Sequence, residues 1–165
     1  MFIFCSIIVP FFLYCVIYYA PKIRNEPFKA KEFVSLKYAW GVGSQLDNHY
    51  DSATGQYVYL DNQDSLVSKK ILLTEKNTKY LDSIADLQGF WNLPSVMANQ
   101  VEDTLSTTIP RYIIEFKYKR KTKRVLLMAN FENKERMVSA GKTMQKTIAQ
   151  LLIDLETKTS KDDVQ

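Results

Sequence analysis

RYIIEFKYK, residues 111–119, followed after a charged turn by KRVLLMANF, residues 123–131, decides how this chain folds. In the first segment Tyr112, Ile114, Phe116 and Tyr118 alternate with Arg111, Glu115 and Lys117. In the second, Val125, Leu127, Ala129 and Phe131 make the matching face. A period of two puts alternate side chains on opposite faces of a strand, so each segment reads as a half-buried strand and the pair as a β-hairpin.

Working outward, Met137, Gly141, Met144, Ile148, Leu151, Leu152 and Leu155 step by three and four, which predicts a long amphipathic helix over roughly 134–156. Upstream, Thr74 is placed to cap a helix over 75–88 carrying Leu81, Ile84 and Ala85, with Gly89 just past its end. EFVSLKYAW alternates Val34, Leu36, Tyr38 and Trp40 as a first strand. QYVYL is a short second strand and LVSKKILLT a third, with Val67, Ile71 and Leu73 on one face. SQLDNHYDSATG and residues 95–110 read as connections. The expected order is β-β-β-α-β-β-α. The corresponding fold class is α+β: an antiparallel sheet of about five strands with two helices packed on one face, preceded by an N-terminal hydrophobic helix.

The 165 residues carry 22 Lys and Arg against 18 Asp and Glu, a formal charge of +4, and every one of these charges falls within 21–165. That body is long enough for one core. Five Gly, five Pro and 13% aromatic residues exclude collagen-like and low-complexity disordered classes. Both cysteines, Cys5 and Cys15, lie in the leader, so the body has neither a disulfide framework nor a Cys-based metal site.

MFIFCSIIVPFFLYCVIYYA, residues 1–20, is uncharged and about 30 Å long as a helix, the thickness of a bilayer's hydrocarbon core. A cleaved signal would want a basic start and small residues before the cut, but Tyr18 precedes Ala20 and nothing basic comes first. A lipoprotein signal would want a small residue before the modified cysteine, and Phe4 and Tyr14 stand there instead. An uncleaved anchor, with Tyr14, Tyr18 and Tyr19 at the interface, is the expectation. Residues 21–31 then read as a linker, 32–157 as a single domain and 158–165 as a flexible tail. Lys22, Arg24, Lys29 and Lys31 follow the apolar run, a flank that by itself favours a cytoplasmic body.

Chemistry is sparse. Asp47, His49, Asp51, Asp61 and Asp64 are the nearest approach to a metal constellation. Counted from Asp47, however, a calcium loop's sixth and twelfth positions fall on Ser52 and Val58. His49 is the only imidazole, and neither Ser44 nor Ser52 has a nucleophile elbow. An enzyme with a site near Asp47–Asp51 is the alternative this stretch leaves. No catalytic, cofactor or metal residue is otherwise assigned. KYKRKTKR, residues 117–124, has six basic side chains in eight. Lys119, Arg120, Lys121, Lys123 and Arg124 are the candidates for contact with an anionic surface, against the plainer reading of a solvated turn. With only Tyr118 interleaved, no base-stacking platform and no nucleic-acid partner are expected.

The helix exit GFWNLP (89–94), PRYIIEF (110–116), KRVLLMANF, and the opening WGVGSQLDNHYDSATGQYVYL (40–60) together resemble an uncharacterised α+β domain family of Gram-negative envelope lipoproteins and secreted proteins. The likeness covers about 33–157. More distantly, the 75–155 pattern is similar to emfourin-like inhibitors of thermolysin-like metallopeptidases. The resemblance implies an extracytoplasmic, periplasmic body. It supports a non-enzymatic accessory or binding module tethered to the membrane through residues 1–20, with a protein partner, or alternatively a metallopeptidase inhibitor.

Overall fold

The computed structural model describes residues 2–25, 28–44 and 46–162, with side chains over 8–19, 28–44 and 46–159. Helix α1 (Phe2–Asn25) leads, continuing beyond the expected end at residue 20 through Pro21. Strands β1 (Phe33–Val42), β2 (Asn48–Asp51), β3 (Gln56–Leu60) and β4 (Leu66–Lys70) follow, then helix α2 (Glu75–Gln88). Strands β5 (Val96–Met97), β6 (Pro110–Tyr118) and β7 (Thr122–Met128) precede the closing helix α3 (Glu135–Asp162). The fold is α+β, but its sheet corrects the expectation of five antiparallel strands: seven strands run in the order β4-β3-β2-β1-β6-β7-β5. The sheet is mixed, because β5 pairs parallel with β7 through Val96↔Leu126 and Met97↔Leu127.

Both extra strands lie where connections were expected. Asn48–Asp51 holds one apolar residue, Tyr50, which points inward opposite Tyr38, while His49 and Asp51 face the other side. β5 is two residues long, too short for any period to register. The hairpin forms as its alternation requires, with Ile114 opposite Val125 and Tyr112 opposite Leu127. β1 lies along β6 over nearly its whole length, Leu36 facing Phe116 and Tyr38 facing Ile114, so the sheet's centre joins strands far apart in sequence.

One sheet face, carrying Leu36, Tyr38, Tyr57, Ile114, Phe116, Tyr118, Val125 and Leu127, packs with Leu81 and Ala85 of α2 and Met144, Ile148 and Leu152 of α3. Burying each large apolar side chain contributes roughly 1.5–3 kcal/mol. α2 begins with a reciprocal cap: Asn77 N–H donates to Thr74 Oγ1 at 3.2 Å, and Thr74 N–H donates to Asn77 Oδ1 at 3.0 Å. It ends at Gly89, whose φ of 68° is left-handed. α3 comes close to the sheet at Gly141, where a Cβ would sit 3.3 Å from both Leu127 and Met97. It is pinned at two further points. Gln145 Nε2 donates to Tyr38 Oη at 3.2 Å, and Tyr59 Oη donates to Glu156 Oε1 at 2.6 Å. The helix runs past the expected end near 156 to Asp162, into the stretch read as a tail.

The four-residue link between β2 and β3 is the turn Ser52–Gly55. Gly55, at φ 74°, donates to Asp51 O and accepts from Ile71 N, tying the β2–β3 turn to the chain leaving β4.

Candidate functional site

The five cations that are candidates for an anionic-surface contact are divided by the strand geometry. Lys119, Arg120 and Lys121 occupy the β6–β7 turn, closed by Tyr118 N–H to Lys121 O at 2.8 Å. Lys123 turns inward and its ammonium donates to Leu93 O. Arg124 lies on the opposite sheet face, 3.9 Å from Glu115. The turn grips the segment before β1. Lys119 N–H donates to Glu32 O at 2.9 Å, Arg120 Nε lies 2.7 Å from Glu32 Oε2, and the Lys121 ammonium sits over the Phe28 ring at 5.3 Å.

Phe28 itself is buried. Its ring stacks on Trp91 and meets Tyr118 edge-on at 5.4 Å. Two carboxylates one turn apart on α2 hold those partners: Trp91 Nε1 donates to Asp86 at 2.5 Å and Tyr118 Oη to Asp82 at 2.6 Å. Burial pushes the Asp82 carboxyl up from its ordinary value. The Tyr118 hydroxyl pulls it back and the Asp86 charge raises it further. Burial likewise raises Tyr118, with the Asp82 hydrogen bond adding to the shift, so its hydroxyl remains a donor. Phe28, read from sequence as featureless linker, and Glu32, read as the first residue of the domain, are therefore parts of the site. Their only sequence signal is an aromatic and an acid flanking a basic stretch.

The second candidate, around Asp47–Asp51, comes apart into separate structural roles. His49 and Asp51 share the open face of β2, and Asp47 is exposed ahead of the strand. Asp51 Oδ1 accepts from Ala53 N at 2.9 Å and its Oδ2 lies 3.5 Å from Lys37. Ser52 Oγ accepts from Leu36 N at 2.7 Å, so it closes the sheet hydrogen bonding; Ser44 is exposed. Asp61 Oδ1 accepts from Gln63 N and Ser65 N, and Asp64 takes a φ of 54°; both are turn devices. Among the described residues no group of three His, Cys, Asp or Glu is placed to hold a metal.

The face carrying His49 is lined at its centre by Lys37, Ala39, Asp51, Ile113, Glu115 and Arg124. One end is walled by the loop before β6. There Arg111, buried, donates from Nη1 to Thr104 O at 2.7 Å and from Nη2 to Ser106 O.

In α1 the described apolar side chains are outside the core: Phe11, Phe12 and Ile17 are 63%, 64% and 70% exposed. Among the described residues no helix is long and apolar enough to cross a membrane. The side chains of Cys5, Lys22 and Arg24 lie outside the described residues. Compared with known proteins, the chain matches no family model, no curated protein and no solved structure.

Proposed function

We propose that this chain is a non-enzymatic accessory or binding module of the cell envelope, tethered to a membrane through residues 1–20, with an extracytoplasmic body. The observation that carries the reading is the burial of Phe28. It lies three positions past Asn25, the last residue of α1, and is fixed between Trp91 and Tyr118 beneath the basic turn. A tether leaving there holds the β6–β7 turn beside the headgroup layer. The exposed cations Lys119 and Lys121 then lie close to anionic lipid, where each basic side chain is worth about 1 kcal/mol. The apolar side chains left exposed along α1 support the same reading.

The test has two parts. Full-length protein should remain with membranes through high-salt and carbonate washing, and its release at full mass would end the tether reading. Reconstituted in nanodiscs, amide exchange over residues 118–122 should be slower with anionic than with neutral lipid. The Lys119→Gln, Lys121→Gln double variant should remove the difference. Equal exchange in both lipids would leave the turn solvated, with the leader as the membrane contact.

A further inference from the structure

We infer that the open face of the sheet docks a second copy of this chain, related by a twofold axis running along β1 and β6. Cross-strand register lines up two rows of side chains there. The row nearer the tether is Asp51, Lys37, Glu115, Arg124, across β2, β1, β6 and β7. Its signs are minus, plus, minus, plus. One pleat further on runs Val58, His49, Ala39, Ile113, Leu126, Val96, spanning six strands. The face is open at its centre, where the Lys37 and Arg124 side chains are 58% and 61% exposed and Ala39, His49, Ile113 and Leu126 are half-buried; Val58 is buried, and the end beyond Ile113 is walled by the loop before β6.

An isologous contact requires a surface complementary to itself, and a strand-parallel axis at the middle of the rows makes all four charges so, whereas one shifted to either side pairs only two of them. Stacked sheets lie about 10 Å apart with interdigitating side chains. An axis parallel to the strands, between β1 and β6, sets Lys37 opposite the second copy's Glu115 and Asp51 opposite its Arg124. Every charge then meets its opposite. The same rotation sets Ala39 against Ile113 and His49 against Leu126, so the exposed centre of this row meets itself, while Val58, buried at 5% exposure, adds no contact. An axis across the strands would instead lay Asp51 on Asp51 and Lys37 on Lys37 when it follows the charged row, which like-charge repulsion opposes, or lay the charged row on the apolar one when it runs midway between them, which leaves the charges without partners. Stacked sheets cross at about 30°. The resulting offset is smallest at the axis, so the Lys37–Glu115 and Ala39–Ile113 contacts keep their match best.

The permitted axis has a second property. Rotation about the strand direction keeps both copies of Phe33 at the same end, so both tethers leave one side of the pair and can enter one bilayer. The apolar row supplies the burial and the charged row selects the arrangement. The inference stands on register and charge alone and holds whether or not the leader spans a membrane.

The experiment uses full-length protein in neutral detergent, followed by sedimentation velocity over a dilution series. Lys37→Glu with Arg124→Glu makes the charged row uniformly negative; Asp51→Lys with Glu115→Lys makes it uniformly positive. Wild type should self-associate, each variant alone should associate at least about tenfold more weakly, and an equimolar mixture should recover the wild-type behaviour. Misfolded variants could not recover on mixing, and association through α1 would persist in each variant alone. Leu126→Glu, a single change at a half-exposed position, should also give monomer. A wild type that stays monomeric, a dimer indifferent to all three changes, or folded variants that fail to pair when mixed would overturn the inference.

Discussion

Phe28 lies flat on Trp91, with ring centroids 4.4 Å apart and planes 5° from parallel. This stack, rather than the charges around it, fastens the segment after α1 to the domain. Phe28→Ala should cost about 3 kcal/mol, the usual loss for a buried aromatic ring. Urea denaturation gives the energy, and limited proteolysis should show new cuts at 26–32. An unchanged midpoint and cleavage pattern would mean that the stack holds nothing.

The neighbouring ion pair should matter far less. The Arg120 and Glu32 side chains are 48% and 26% exposed, and half-solvated pairs contribute about 0.2–1 kcal/mol. A double-mutant cycle with Arg120→Gln and Glu32→Gln should return a coupling inside that range, falling further at high salt. A coupling comparable to the loss from Phe28→Ala would reverse this ranking.

Two carboxylates should give opposite pH signatures. Burial raises the Glu156 carboxyl, but hydrogen bonds from Lys69 (2.5 Å) and Tyr59 outweigh it and hold the group below its ordinary value. A depressed folded value means stability present above the unfolded pKa of about 4.3 and lost as pH falls through the folded one. Asp82 is raised, so its ionised form opposes folding. That penalty is complete above the raised value and vanishes below the unfolded pKa of about 3.9. At pH 7, Glu156→Gln should therefore destabilise by about 1 kcal/mol, while Asp82→Asn, which keeps an acceptor for Tyr118, should stabilise slightly. Both effects should shrink toward zero near pH 3. Urea melts across that range check it, and two effects of the same sign would refute the assignment.

Gly55 and Gly89 separate backbone strain from crowding. Both have left-handed φ, but a Cβ on Gly55 would stand 2.7 Å from Leu72 Cδ2 and 3.1 Å from Ile71 O, whereas Gly89 has nothing within 4 Å. Gly89→Ala should cost about 1 kcal/mol. Gly55→Ala should cost distinctly more, up to about 3 kcal/mol, read as a difference in thermal midpoints.

The parts of the fold visible in the sequence were those in which the burial pattern repeats. Thr74 and Gly89 bracketed α2, and the alternation through Tyr112–Tyr118 and Val125–Leu127 gave β6 and β7. β2 was hidden because its open face carries His49 and Asp51, the polar residues that also make a turn. β5 was hidden because its two residues are ordered by Leu126 and Leu127, far along the chain. At the basic turn, composition revealed the charge but not its use: which cation meets Glu32, Phe28 or Leu93 follows from strand register. The alternating row from Asp51 to Arg124 could not be seen at all until β1 was set beside β6, because its members come from four strands.

The strand order also fixes a timetable for synthesis. β1 to β4 are consecutive and can zip together as they emerge, but the other edge of β1 has no partner until Pro110–Tyr118 arrives, and the inner face has no α3 until Glu135–Asp162 follows. Until those segments emerge the future middle of the sheet is therefore an exposed edge beside uncovered Leu36 and Tyr38, the state most prone to pair with a neighbour. A nascent chain stopped before Pro110 should aggregate or bind holding chaperones, and release through α3 should end that dependence at once rather than by degrees.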